Sequence, residues 1–307
     1  MEIGFVGLGR MGGNMSLRLL KKGHRVIGFD LSPAAVQSYA NQGTVPARDW
    51  QDFVQQFQNK PRIMWIMVPA GDPTTQAIDT LVQLGDPGDI VVDGGNTNWK
   101  IALNDATRVK AKGMHYVDAG VSGGIWGLEF GYSMMVGAEQ SVYGHILPVL
   151  QDLAPDGGGL VHTGPEGSGH FVKMVHNGVE YGLMQAYAEG FQVMKLSKQF
   201  PGMDMRAIAE AWREGSVVRS WLLDLIARGL AQDPELSQIK GYVEDTGEGR
   251  WTVETAIDES VPTPVIAESL FARFRSRMEN TFGDRMLAMM RQQFGGHAVV
   301  KDAAHEK

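Results

Sequence analysis

Apolar positions in the first half of the chain fall in short runs separated by stretches of mixed polarity. Ile3-Gly4-Phe5-Val6, Arg25 to Phe29, Arg62 to Val68, Asp89 to Asp93 and Met114 to Asp118 each read as a strand, the third stopped by Pro69 and Gly71. Short continuous apolar runs suit strands covered on both faces. Asn14 to Lys22 and Trp99 to Lys112 have helical composition and lie between such runs. Strands alternating with helices specify a parallel sheet, and right-handed crossovers wind it with helices on both sides. From Pro155 to Gly169 the texture turns to glycine- and proline-rich loop. Beyond it strand signals nearly vanish, and helical segments follow at Gly169–Leu196, Met205–Trp212, Trp221–Ala231 and Thr263–Met290. Gly295 to Lys307 reads as an extended tail.

Composition narrows the function classes. The 307 residues include no cysteine, which excludes disulfides, thiolate metal sites and a cysteine nucleophile. Lys and Arg total 28 against 35 Asp and Glu, a net charge of −7 without a basic block, so nucleic acid is not an expected partner. Nothing approaches the roughly 18 apolar residues of a membrane span, so no membrane partner is expected either. A first strand that begins almost at Met1 leaves no room for a signal peptide, and the expected location is cytoplasmic.

Gly7-Leu8-Gly9-Arg10-Met11-Gly12 fits G-x-G-x-x-G directly between the first strand and a helix. Such glycines serve a tight turn, close approach of backbone to a pyrophosphate, and close helix–strand packing. The helix N-terminus adds free N–H groups and partial positive charge. Asp30 closes the second strand at the spacing, roughly 20 residues on, of the carboxylate that binds a ribose hydroxyl. The plain alternative is an ordinary strand–helix turn with a surface aspartate. A carboxylate at Asp30, followed by Leu31-Ser32 without an arginine, repels a 2′-phosphate. NAD is therefore the expected cofactor, with NADP the weaker alternative through Arg10. The prediction is an α/β, Rossmann-like, doubly wound N-terminal domain over residues 1–164. A mostly α-helical substrate and dimerisation domain follows over 165–290, then a tail over 291–307.

The segment Gly169 to Tyr181 (GHFVKMVHNGVEY) carries the candidate chemistry. At about 100° per residue, Lys173, Asn177 and Glu180 share one helical face and Tyr181 lies beside them. A solvated polar face would look the same, but the other faces are also largely apolar and would bury it. A lysine and a carboxylate in one cleft are a natural base and acid.

These residues resemble those of the 6-phosphogluconate dehydrogenases. The family's helix motif stands here as Lys173 to Tyr181, its Asp-Gly-Gly-Asn loop as Asp93 to Asn96, and its Gly-Val-Ser-Gly-Gly loop as Gly120 to Gly124. Phe271-Ala272-Arg273 resembles the helix with a phosphate-binding arginine, and Arg291 to His297 the arginine-to-histidine end segment. The resemblance implies oxidative decarboxylation of 6-phosphogluconate to ribulose 5-phosphate in the pentose phosphate pathway, without a metal. It makes Lys173 the base at the 3-hydroxyl and Glu180 the acid at C1 of the enediol. For that the lysine must titrate well below its ordinary range, which a dry cleft can supply. Asn96, Ser122, Gly123, Gly124, His176, Asn177 and Tyr181 would hold the carboxylate and hydroxyls, and Arg273, Arg291 and His297 the phosphate. The cofactor would lie against Gly7, Leu8, Gly9, Arg10, Met11, Gly12, Asp30, Leu31, Ser32, Val68, Pro69, Ala70 and Asn96. A homodimer or homotetramer, with the tail completing a neighbour's site, is expected.

The chain resembles the short class of the family and departs from its pattern at three places. The family's lysine before Thr-Gly-Lys-Trp-Thr has no clear equivalent in Thr246-Gly247-Glu248-Gly249-Arg250-Trp251-Thr252. Ile125-Trp126 replaces acidic residues, and Asp30-Leu31-Ser32 replaces an Asn-Arg-Thr clamp, which suits NAD. A β-hydroxyacid dehydrogenase acting on a 3-hydroxyisobutyrate-like substrate would share the dinucleotide loop and a Lys-x-x-x-Asn helix, but would not need Arg273, Arg291 and His297. A non-enzymatic dinucleotide sensor would need neither Lys173 nor Glu180. His162 and His170 read as core or surface histidines, and without the resemblance Arg273 is one of a solvated row with Arg275 and Arg277.

Overall fold

The structure is a computed structural model and describes residues 1–300. Its first half alternates as the apolar runs predict: β1 (Glu2–Val6), α1 (Arg10–Lys21), β2 (Arg25–Phe29), α2 (Pro33–Ala40), β3 (Val45–Pro46) and α3 (Trp50–Gln55). Next come β4 (Ile63–Ile66), α4 (Asp72–Leu84), β5 (Ile90–Asp93), α5 (Trp99–Ala111) and β6 (His115–Ser122). A 3₁₀ turn at Gly124–Trp126 leads into α6 (Gly127–Phe130), β7 (Ser133–Gly137), α7 (Gln140–Leu153) and β8 (Leu160–Gly164). The strands form one sheet in the order β3-β2-β1-β4-β5-β6-β7-β8.

Two departures from the sequence expectation concern this sheet. It is not wholly parallel: β7 runs antiparallel to β6, pairing Ser122 with Ser133 and Asp118 with Gly137. The return needs no crossover helix, because α6 is a single turn ended by Gly131 in a left-handed conformation (φ 87°). The stretch expected to be loop around residues 155–169 also contains β8, paired parallel to β7.

Alternation along the central strands splits the core into two layers. Ile3, Phe5, Ile63, Trp65, Ile90, Val92 and Val117 face one side, with Met15 and Leu19 of α1 and the apolar face of α7. Met64, Ile66, Val91 and Tyr116 face the other, with Phe53 of α3, Ile78 and Leu81 of α4 and Val109 of α5. Burial of each such side chain stabilises by about 1.5–3 kcal/mol. Open α/β sheets of this kind bind ligands at the carboxyl ends of their strands, where order reverses. Here the reversal lies between β1 and β4.

The chain divides into two compact units at Gly178/Val179, inside the 28-residue helix α8 (Ser168–Lys195). The second unit is helical: α9 (Met205–Arg213), α10 (Trp221–Gln232), α11 (Glu248–Asp258), α12 (Pro264–Ser276) and α13 (Phe282–Gly295). Met205, Ala209, Leu223, Ala227 and Leu230 form its core, packed with Tyr187, Phe191 and Trp212. Asp204 and Ser220 cap α9 and α10 by accepting from the N–H of Ala207 and Leu223. The single helix expected over Thr263–Met290 is broken. Asn280 turns left-handed (φ 47°) and Thr281 starts α13 by accepting from the Asp284 N–H. The helix then continues through Gly295, so Arg291 lies within it and not on an extended tail. Residues 301–307 of the expected tail lie outside the described residues. Among the described residues no helix is long and apolar enough to cross a membrane.

Candidate functional site

The glycines of the first turn are required for three different reasons. Gly7 has φ 93°, and a Cβ there would sit 2.5 Å from the Met67 carbonyl oxygen. A Cβ on Gly12 would lie 2.1 Å from the Gly7 carbonyl oxygen, so α1 can touch β1 only without one. Gly9 has an ordinary backbone (φ −64°), and nothing lies within 4 Å of the Cβ position. The open space at Gly9 adjoins the N-terminus of α1, which has no side-chain cap. Uncapped N–H groups beside an open cradle fit a pyrophosphate.

Asp30 follows β2 and organises this turn. Its carboxylate accepts from Leu8 N–H at 2.7 Å and from Ser32 N–H at 2.8 Å. Ser32 in turn caps α2, while Leu31 is exposed. Arg10 is exposed at the start of α1 and Met11 packs against the sheet. Val68, Pro69 and Ala70 follow β4, where Thr74 Oγ1 donates to the Pro69 carbonyl at 2.9 Å. Val68 comes within 2.9 Å of the Gly7 Cβ position, which brings this loop against the glycine turn.

The next two loops are tied together by Asn96. Its side chain accepts from Val121 N–H at 3.0 Å and donates to the Val121 carbonyl at 3.2 Å, with the Asn96 backbone at φ 54°. Asn96 therefore fixes the strand end that carries Ser122, Gly123 and Gly124. Ser122 ends β6, and the two glycines follow with φ 136° and 52°.

Helix α8 starts embedded in the sheet. Cβ atoms on Gly137 and Gly169 would each come within 2.8 Å of the other residue's backbone nitrogen, and one on Gly120 would lie 2.3 Å from the Lys173 Cβ. Asp118 of β6 caps the helix, accepting from Gly167 N–H at 2.6 Å and His170 N–H at 2.7 Å. Lys173 is thereby pressed against β6 with only 5% of its surface exposed. Its ammonium donates to Asn177 Oδ1 at 2.6 Å, and His176 Nδ1 lies 2.9 Å from the same oxygen. Since that oxygen is an acceptor, the His176 contact assigns the proton to Nδ1.

His170, one turn before Lys173, is fully buried, with Nε2 3.1 Å from Asp93 Oδ2. The two are close enough for an ion pair, though off the line of a good hydrogen bond. Burial opposes the imidazolium, but the charges of Asp93 and Asp118 outweigh it and raise the His170 pKa. Burial likewise pushes Asp93 up, and His170 with the Gly95 N–H brings it below the usual carboxylate range. Asp118 goes the other way, raised by burial. Sequence reasoning places Asp93 in the Asp93 to Asn96 loop but gives neither it nor Asp118 nor His170 a part in building the site. Asp93 ends β5 beside Gly94, which is the signal available for it, whereas Asp118 lies within β6 and carries no such signal.

In the second unit, α8 continues with Glu180 half-buried and Tyr181 buried. The Tyr181 ring occupies space left by Gly249, where a Cβ would lie 2.4 Å from it. Its oxygen accepts from Thr246 N–H at 3.2 Å, and the Thr246 hydroxyl donates to Glu248. The Arg273 guanidinium stacks 3.5 Å from the centre of the Tyr181 ring and donates to the Glu244 carbonyl at 2.8 Å. Arg250 and Arg277 both pair with Asp245, so the segment without a clear equivalent of the family's lysine uses its arginine internally. Arg291 is exposed on α13, and His297 lies just beyond it with its ring beside Gly295.

Comparison with known proteins matches this geometry. Residues 2–164 match the sequence model for the NAD binding domain of 6-phosphogluconate dehydrogenase, and residues 169–304 match that for its C-terminal domain. An NAD(+)-dependent, decarboxylating 6-phosphogluconate dehydrogenase of Haloferax volcanii is 42% identical over 304 residues, 98% of this chain and 99% of that one. The 6-phosphogluconate dehydrogenase of Plasmodium falciparum, solved apo, with NADP+ and with 6-phosphogluconate, superposes with a TM-score of 0.83 at 26% identity. The match covers all of this chain and 67% of that one. A 3-hydroxyisobutyrate dehydrogenase of Mycobacterium tuberculosis shares the fold, with a TM-score of 0.71 at 24% identity over 87% of this chain and 90% of that one. With both domains matched and a relative aligned end to end, the chain belongs to the 6-phosphogluconate dehydrogenase family, an oxidoreductase family with an NAD-binding domain.

Proposed function

We propose that this chain oxidises and decarboxylates 6-phosphogluconate with NAD, Lys173 acting as base and Glu180 as acid. The observation that carries the reading is the buried Lys173 ammonium, held by Asn177 alongside His176 on a helix turn locked to β6. NAD, when bound, accepts a hydride from C3 of the substrate. Lys173 takes the proton of the 3-hydroxyl as that oxygen becomes a ketone. The bond from C1 to C2 then breaks, CO₂ leaves, and the electron pair flows toward the ketone oxygen. The protonated Lys173 returns its proton there, giving an enediol. Glu180 protonates the enediol carbon that becomes C1 of ribulose 5-phosphate while Lys173 takes the proton of the enediol hydroxyl as the ketone re-forms. The proton gained by carbon is thus balanced by the one lost from oxygen.

The remaining residues bind and orient. Ser122, Gly123, Gly124, His176, Asn177 and Tyr181 receive the carboxylate and hydroxyls, with Asn96 holding the Ser122 loop in place. Asp30 takes the ribose hydroxyls of the cofactor, and the α1 N-terminus its pyrophosphate. Arg273, oriented by Tyr181, takes the phosphate. Arg291 and His297 complete the phosphate site of a neighbouring copy in a homodimer or homotetramer. Supporting this are the exposure of Arg291 and the exposed apolar side chains of Phe282, Leu287 and Met289 on the same helix. Sedimentation as a monomer would contradict that assembly. A phosphorylated substrate and NAD suit a cytoplasmic location.

The test supplies purified protein with NAD and 6-phosphogluconate, then separately with 3-hydroxyisobutyrate. NADH and CO₂ should appear in equal amounts with the first and neither with the second. NADH without CO₂, or oxidation of 3-hydroxyisobutyrate alone, would overturn the reading.

A further inference from the structure

We infer that His170 is a positioning residue for Lys173: its imidazole ties the helix turn that carries the lysine to the loop from Asp93 to Asn96. His170 and Lys173 lie one turn apart on α8. His170 Nε2 lies 3.1 Å from Asp93 at the end of β5, its backbone N–H donates to Asp118 of β6, and the charge of Asp105 on α5 also acts on its ring. Asp93 distributes this contact. One carboxylate oxygen accepts from Gly95 N–H at 2.8 Å, while the other accepts from the Tyr116 hydroxyl at 3.1 Å and faces His170 Nε2. One residue past Gly95, Asn96 clamps Val121 and so the Ser122 loop. An unbroken set of contacts thus runs from the lysine's own helix turn, through His170 and Asp93, to the loops proposed to hold substrate and cofactor.

A completely buried ion pair is a poor device for stability alone, because removing two charges from water costs much of what their attraction returns. Apolar side chains would fill the same space. His170 Nδ1 also has no hydrogen-bond partner among the described residues, so the imidazole is not chosen to satisfy both of its nitrogens. What the pair supplies is a fixed register between two elements whose relative placement sets the distance from Lys173 to a bound hydroxyl. A misplacement of about 1 Å at such a distance costs on the order of 100-fold in rate.

The inference rests on Lys173 being the base, and the experiment separates the two claims. In the full-length enzyme His170→Leu removes the contact, and His170→Gln keeps a donor at the Nε2 position. The expected result is a kcat about 10- to 100-fold lower for His170→Leu, an NAD dissociation constant within about two-fold of wild type, and recovery to within about three-fold in His170→Gln. If His170→Leu does not fold, His170→Leu combined with Asp93→Asn, which buries no lone carboxylate, replaces it with the same expectation. Wild-type kcat in the folded Leu variant would overturn the inference, as would equal losses in the Leu and Gln variants. A Lys173→Met enzyme that still turns over would instead overturn the reading of the base.

Discussion

Lys173, itself buried, donates its ammonium to the side-chain oxygen of half-buried Asn177 at 2.6 Å, one helical turn away. A neutral amide can orient the amine without adding charge that would hold its proton. Replacing it by a carboxylate changes that balance, since an opposite charge within about 4 Å favours the ammonium. Asn177→Asp should therefore move the acid limb of the kcat/KM pH profile to higher pH and lower the rate at neutral pH by about 10-fold or more. An unshifted limb would show that this oxygen does not govern the protonation of Lys173.

Gly9 and Gly120 should respond in opposite ways to the same added methyl group. At Gly9 the backbone is ordinary and the space open, so Gly9→Ala should leave the melting temperature unchanged while NAD affinity falls about 10-fold or more. At Gly120 the methyl collides with Lys173 Cβ and the Gly169 carbonyl. Gly120→Ala should destabilise the protein by about 1–3 kcal/mol and slow turnover with it. Thermal unfolding and cofactor titration of both variants check the contrast.

The cofactor role proposed for Asp30, whose two oxygens hold the Leu8 and Ser32 N–H groups beside the exposed Leu31, predicts how cofactor choice can be changed. Asp30→Asn with Leu31→Arg removes a repulsive charge and adds a phosphate partner. Preference should move toward NADP by about 1–3 kcal/mol, or roughly 5- to 150-fold in the ratio of kcat/KM values. A wild-type enzyme that prefers NADP would contradict the role given to Asp30.

The His170–Asp93 pair makes a signed prediction for stability. His170 is raised from 6.5, so its contribution is complete below 6.5 and disappears as pH rises through the raised value. Asp93 is lowered from 3.8, so its contribution is present above 3.8 and disappears as pH falls through the lowered value. The melting-temperature gap between wild type and His170→Gln should be widest between these limits and shrink in alkali. A gap that stays constant from weak acid to alkali would show that the pair is not charged in the folded protein.

What was legible in the chain depended on whether the signal was local. Strands β1, β2, β4 and β5 are read from consecutive residues, and Gly7 to Gly12 from its position between a strand and a helix. The stripe of Lys173, Asn177 and Glu180 follows from helical spacing alone. Asp118 and His170, by contrast, meet across 52 residues of sequence, and only the embedding of α8 against β6 and β7 brings them together. From sequence His170 therefore reads as no more than a core or surface histidine. β7 leaves no clear signal in the chain because an antiparallel return through the one-turn α6 breaks the rhythm of strand and helix. The break between α12 and α13 was hidden because Arg277 to Asn280 has helical composition, and only the left-handed Asn280 and the Thr281 cap reveal it.

The central claim is that Lys173 removes the proton from the substrate hydroxyl, and a single turnover of Lys173→Met tests it most directly. NAD and 6-phosphogluconate are mixed with enzyme in excess, NADH formation is followed by absorbance, and NAD affinity is measured in parallel. The account predicts cofactor affinity within about two-fold of wild type and NADH formation slowed by about 100-fold or more, the scale of a lost general base. NADH formed at the wild-type rate by Lys173→Met would contradict it.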